Sequence, residues 1–126
     1  MENNYFVEET FKTPRIKGDI SAGVVEIVGK SLPEDAKSFY RPFREWFQKF
    51  YTSDIENIKA IIQLEYYNTA TSKVLINILL KLNELKEHKN VTIEWRYDED
   101  DLEMEETGMD FKNLIGDILI MKAVSE

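Results

Sequence analysis

The apolar residues change period several times along the chain, and each change predicts an element. From Arg15 the pattern is extended: Arg15 to Ile20, then Ser21-Ala22-Gly23, then Val24 to Lys30. The second arm is rich in β-branched residues and the connection carries Gly, which predicts a β-hairpin. Ser31-Leu32-Pro33-Glu34 then punctuates the chain. Ser31 is placed to cap a helix, Pro33 suits a first turn, and Glu34 and Asp35 suit the positive end of the dipole. Phe39, Phe43, Trp46, Phe47 and Phe50 follow on one helical face. Pro42 inside that pattern is expected to kink the helix or to split off a main helix from about residue 42 to 52.

Residues 58–67, Ile-Lys-Ala-Ile-Ile-Gln-Leu-Glu-Tyr-Tyr, read as the strongest strand. Their continuous apolar stretch predicts a central strand covered on both faces. A helix is expected from residue 70 to 88, with Val74, Leu75, Ile78, Leu79, Leu82 and Leu85 on its inner face. Val91, Ile93 and Trp95 alternate in a further strand over 91–97. The acidic segment Asp98 to Glu106 leads into a helix running irregularly through Phe111 and Leu114, with Gly116 as its stop. A last strand covers Asp117 to Val124.

The expected order is β-β-α-β-α-β-α-β in a single domain over residues 14–126, after a loosely attached lead-in over 1–13. Helical crossovers between strands favour parallel pairing, and the hairpin makes the central sheet mixed, with helices packed on it. The fold class is α/β, and the order is similar to the STAS fold of anti-sigma-factor antagonists. In that fold a strand ends at a phosphorylated Ser or Thr where a helix begins.

Composition narrows the function. With 126 residues, 43 % of them hydrophobic, the chain suits one well-filled core. Its net charge of −8 repels phosphate backbones and anionic lipids, so a protein partner is expected and neither nucleic acid nor membrane. The absence of cysteine excludes disulfides, thiolate catalysis and cysteine zinc sites. No signal peptide or membrane span is legible, and a cytoplasmic protein is expected.

Little here resembles catalytic machinery. His88 is the only histidine and falls near a helix end, where a solvated role is expected. The glycines are scattered, with no phosphate-binding loop or dinucleotide fingerprint. The seven carboxylates of Asp98–Glu106 lack EF-hand spacing. They read as a solvated helix start or a surface for a basic partner, and a metal site or an enzyme built on them is the weaker alternative. No cofactor or metal is expected. Asn68-Thr69-Ala70-Thr71-Ser72-Lys73 is the most informative segment: hydroxyl groups cluster between a buried strand and an amphipathic helix. Capping by Asn68 or Thr69 accounts for one such residue only.

Across this segment the chain resembles the SiaC-type family of regulatory phosphoproteins. The resemblance rests on Thr13-Pro14-Arg15-Ile16, the Ser31-Leu32-Pro33-Glu34 turn, Tyr40 and Trp46. It continues through Leu64-Glu65-Tyr66-Tyr67-Asn68-Thr69-Ala70-Thr71-Ser72-Lys73, Trp95-Arg96-Tyr97 and Glu106-Thr107-Gly108. It implies a non-enzymatic partner-switching regulator with Thr69 as phosphoacceptor. A Ser/Thr protein kinase would add the phosphate and a PP2C-type phosphatase remove it. The unphosphorylated form would bind and activate an output protein, a diguanylate cyclase, raising cyclic di-GMP and promoting biofilm. Tyr66, Tyr67, Asn68, Thr69, Thr71, Ser72 and Lys73 are the expected partner-binding residues. Ala70 departs from the family pattern, where a second hydroxyl is common, and Thr71 and Ser72 offer alternative acceptors. The alternative reading is a STAS-like antagonist acting on an anti-sigma kinase.

Overall fold

The computed structural model describes residues 4–125. Part of the expected lead-in, residues 1–3, lies outside them. The elements are β1 (Asn4–Val7), β2 (Arg15–Asp19), β3 (Val24–Ser31), α1 (Ala36–Tyr51), β4 (Asn57–Tyr67), α2 (Thr69–Leu85), β5 (Asn90–Asp98), α3 (Leu102–Ile115) and β6 (Leu119–Val124). The α/β class and the mixed sheet follow the expectation, with one strand added. β1 falls in the segment read as a lead-in and pairs antiparallel with β2.

The strands lie in chain order across one sheet, β1-β2-β3-β4-β5-β6. The pairs β1–β2 and β2–β3 are antiparallel; β3–β4, β4–β5 and β5–β6 are parallel. Each parallel step moves in the same direction, so right-handed crossovers place α1, α2 and α3 on the same side. The register agrees. Val25 pairs with Ala60, Ile27 with Ile62, Ala60 with Ile93, Ile62 with Trp95, and Ile93 with Leu119. All these side chains are buried against the helices.

The expectation that 58–67 is covered on both faces is therefore corrected. β4 is central, but the sheet's second face carries Arg15, Glu26, Lys59, Gln63, Glu94 and Arg96 instead of helices. Ion pairs cross this face: Arg15–Glu26 at 2.9 Å, Lys59–Glu94 at 3.0 Å and Arg96–Glu94 at 2.8 Å. Ile61 is buried there because Glu26 and Glu94 flank it in register on the adjacent strands.

Helix α1 runs unbroken through Pro42, so the expected split does not occur. Pro42 and Ser38, whose carbonyl loses its helical partner, are both exposed, and solvent can satisfy that carbonyl. Its cap is also corrected: Asp35 accepts from the Ser38 amide, whereas Ser31 ends β3 and is buried. The Ser38 amide and hydroxyl hold the Asp35 carboxyl below its ordinary pKa. The inner face of α1 is aromatic. Phe43 and Phe50 are fully buried, and Trp46 stacks on Phe50 with centroids 5.1 Å apart. Helix α2 ends at Leu85, so the expected end at His88 is a turn too far; His88 is exposed in the turn that follows.

Candidate functional site

β4 delivers Tyr66 and Tyr67 to the carboxyl edge of the sheet, and α2 starts two residues later. A register shift between Gly29 and Lys30 pairs Lys30 with Tyr66 and Ser31 with Tyr67. Tyr66 is left 62 % exposed. Tyr67 is half-buried, and that burial pushes its hydroxyl pKa up, with Thr107 and Asp110 of α3 nearby.

Asn68 is the cap of α2. Its side-chain oxygen accepts from the Thr71 amide at 2.9 Å, and its Nδ2 donates to the Pro33 carbonyl at 3.2 Å. The extended backbone at Asn68 (ψ 174°) breaks the strand's course and starts the helix. With Asn68 in that role, Thr69 occupies the first helical position without capping anything. It is exposed, and its hydroxyl makes no hydrogen bond among the described residues.

Thr71 is the opposite case. Its side chain is 0 % exposed. Its hydroxyl lies 2.8 Å from Ser31 Oγ and donates to the Ser31 carbonyl at 3.2 Å. Ser31 Oγ also meets the Tyr40 hydroxyl at 2.6 Å. Burial raises the Tyr40 pKa, against the opposing effect of its Ser31 and Thr71 partners. This buried trio ties β3, α1 and α2 together beneath the exposed threonine. Thr71, expected among the partner-binding residues, lies below the surface and supports the start of α2. Ser72 is half-buried, and Lys73 is exposed.

Sequence reading missed Ser31 and Tyr40 as parts of this arrangement. A signal for Thr71 was present: Thr71, Val74, Leu75 and Ile78 share the helical spacing of the apolar face. Two of the seven carboxylates of the acidic segment serve local structure: Asp101 accepts from the Met104 amide to cap α3, and Asp98 accepts from the Asp100 amide. Among the described residues no group of three or more His, Asp or Glu is placed to hold a metal ion, and no helix is long and apolar enough to cross a membrane.

The arrangement defines a small α/β domain that presents an unencumbered hydroxyl at a helix start, braced from below. The profile of the SiaC family regulatory phosphoproteins matches residues 7–123, and the chain belongs to that family. An uncharacterized protein of Pseudomonas aeruginosa (strain UCBPP-PA14) is 28 % identical over 104 residues, 82 % of each chain. The fold is similar to a chain in the crystal structure of the diguanylate cyclase SiaD in complex with its activator SiaC from Pseudomonas aeruginosa. The TM-score there is 0.89 at 25 % identity, covering 95 % of this chain and 99 % of that one. Apo-SiaC from the same organism matches with a TM-score of 0.83 at 22 % identity, over 97 % and 100 % of the two chains.

Proposed function

We propose that this protein is a phosphorylation-controlled partner switch whose unphosphorylated form binds and activates a diguanylate cyclase, with Thr69 as the phosphoacceptor. The observation that carries the choice of residue is the contrast within one helical turn: Thr69 is exposed and unpartnered, while Thr71 is sealed in the core. The family's description as regulatory phosphoproteins supports the phosphate. The relative SiaC, an activator found in complex with the cyclase SiaD, supports the output. The protein then acts by binding and not by catalysis. It works in the cytoplasm, where a Ser/Thr kinase finds its nucleotide. A PP2C-type phosphatase resets it, and the output is cyclic di-GMP and biofilm control. Residues 14–126, extended by β1, form the working unit.

The physical basis is a change in binding without a change in fold. A phosphate adds roughly −1.5 to −2 charges at pH 7. At the first turn of α2 the free N–H groups and the dipole tolerate it. A partner resting on Tyr66, Thr69 and Lys73 would meet a hydrated dianion instead of a small hydroxyl. The test is calorimetric titration of wild type, Thr69→Ala and Thr69→Glu against the purified cyclase, with phosphate mapped by mass spectrometry after kinase treatment. Phosphate on Thr69, tight binding by Thr69→Ala and weaker binding by Thr69→Glu are expected. Phosphate on Ser72, or equal affinity for both variants, would move the switch elsewhere.

A further inference from the structure

A groove of about 530 Å³ runs between α1 and α2. Phe47, Val74 and Ile78 contribute its apolar lining. Lys37, Arg41, Arg44 and Lys81 also line it, with Glu45 as the one carboxylate. This is an unusual concentration of positive charge on a chain whose net charge is −8.

The placement along α1 sharpens the point. Lys37, Arg41 and Arg44 stand at i, i+4 and i+7, a single stripe beside the buried aromatic face. Like charges at this spacing repel and weaken the helix that carries them. No ion pair within the described chain engages these three residues. Arg41 only contributes to the field that lowers the Asp35 pKa. Lys81 lies over the Tyr51 ring at 5.4 Å. The row is thus held without a close carboxylate partner, with only the Asp35 field and the neighbouring Glu45 set against it.

We propose that this groove is the docking site for an acidic amphipathic helix of the output partner, its apolar stripe seated between α1 and α2 and its carboxylates on the Lys37–Arg41–Arg44 row. A helix laid in a hydrophobic groove is a common recognition mode, and the basic rim selects the sign of its charge. The inference rests on the partner-switch reading for its regulation. Val74 lies five residues beyond Thr69, about 7.5 Å along the helix axis. Thr69 stands about 140° round the helix from Val74, off the groove's own face, so a phosphate there acts on the docked helix through its field, the axial separation being within about one Debye length.

The test uses a synthetic amphipathic helix with leucines at i, i+3, i+4 and i+7 flanked by glutamates, and its lysine-flanked counterpart. Both are titrated by NMR into wild type and into Arg41→Glu/Arg44→Glu. Both arginines are exposed, and a cooperative thermal melt no lower than that of wild type verifies the variant's fold. The glutamate helix is expected to shift the amides of Phe47, Val74 and Ile78. The variant should bind it at least roughly tenfold more weakly, and added salt should weaken it further. Shifts centred elsewhere, equal binding of the lysine helix, or an unaffected variant would overturn the proposal. So would undiminished binding of the cyclase by Arg41→Glu/Arg44→Glu. If no cyclase binds even wild type, the output reading fails, and the peptide titration still decides the groove.

Discussion

The hydroxyls of Ser31 and Thr71, forty residues apart in sequence, lie 2.8 Å from each other in a buried contact between the end of β3 and the first turn of α2. Ser31 also meets Tyr40 at 2.6 Å, so one small side chain holds three elements. Thr71→Val keeps the shape and removes the hydroxyl. A cost of about 1–3 kcal/mol is expected, because the Ser31 groups lose a buried partner. Tyr40→Phe should cost a similar amount. Since both act through Ser31, the double variant should depart from additivity by about 0.5 kcal/mol or more. Urea denaturation of the two single variants and the double one checks this.

Asn68 and Thr69 are neighbours with separate duties, and stability separates them. Asn68 caps α2 and also holds Pro33, so Asn68→Ala should cost about 0.5–2 kcal/mol. Thr69→Ala removes an exposed hydroxyl with no intramolecular partner and should stay within about 0.5 kcal/mol of wild type. Thermal melts of the two variants are the measurement. A large loss in Thr69→Ala would mean that its hydroxyl serves the fold as well as the switch.

Element type was legible wherever a side-chain period reports one face directly. The hairpin, the 58–67 strand, the aromatic helix and the Val74–Leu85 face all reappear in the structure. What escaped depends on tertiary neighbours. β1 is a four-residue strand held by its pairing with β2, and so short a run of Asn-Tyr-Phe-Val carries no period. Ile61 reads as evidence for a second covering layer, yet its burial comes from cross-strand neighbours on a face of ion pairs. The hydroxyl cluster after β4 was legible as a group. Its division into an exposed Thr69 and a buried Thr71 was not drawn from the sequence, although Thr71 shares the spacing of the apolar face; the identity of its hydroxyl partners, on β3 and α1, was not legible at all.

Gly108 faces the indole of Trp95. A Cβ added there would lie 2.4 Å from Trp95 Cδ1 and 2.6 Å from Nε1. The ring has little room to yield: it is fully buried, donates to the Met104 carbonyl at 3.1 Å and packs on Phe111. Gly108→Ala should therefore destabilise by about 1–3 kcal/mol through overpacking, in spite of alanine's better helix propensity. A stabilised Gly108→Ala in urea denaturation would show that α3 can move off the sheet.

Glu94 sits on the open face between Lys59 at 3.0 Å and Arg96 at 2.8 Å. The Lys59 hydrogen bond, helped by Arg96, lowers its pKa from the ordinary 4.5 despite some opposing desolvation. A carboxylate with a lowered folded pKa binds fewer protons folded than unfolded in that window, so it stabilises the fold above the unfolded value. That contribution is lost as pH falls from about 4.5 through the lower folded pKa. Glu94→Gln should therefore be less stable than wild type at pH 7, and the gap should narrow as pH drops below about 4. Lys59 is nearly half exposed, so screening limits the effect to less than about 1 kcal/mol for each pair, and high salt should shrink it further. Urea denaturation of both proteins at pH 7 and pH 3.5 measures it. A gap that stays constant across that range would mean that glutamate packing, and not its charge, stabilises the open face.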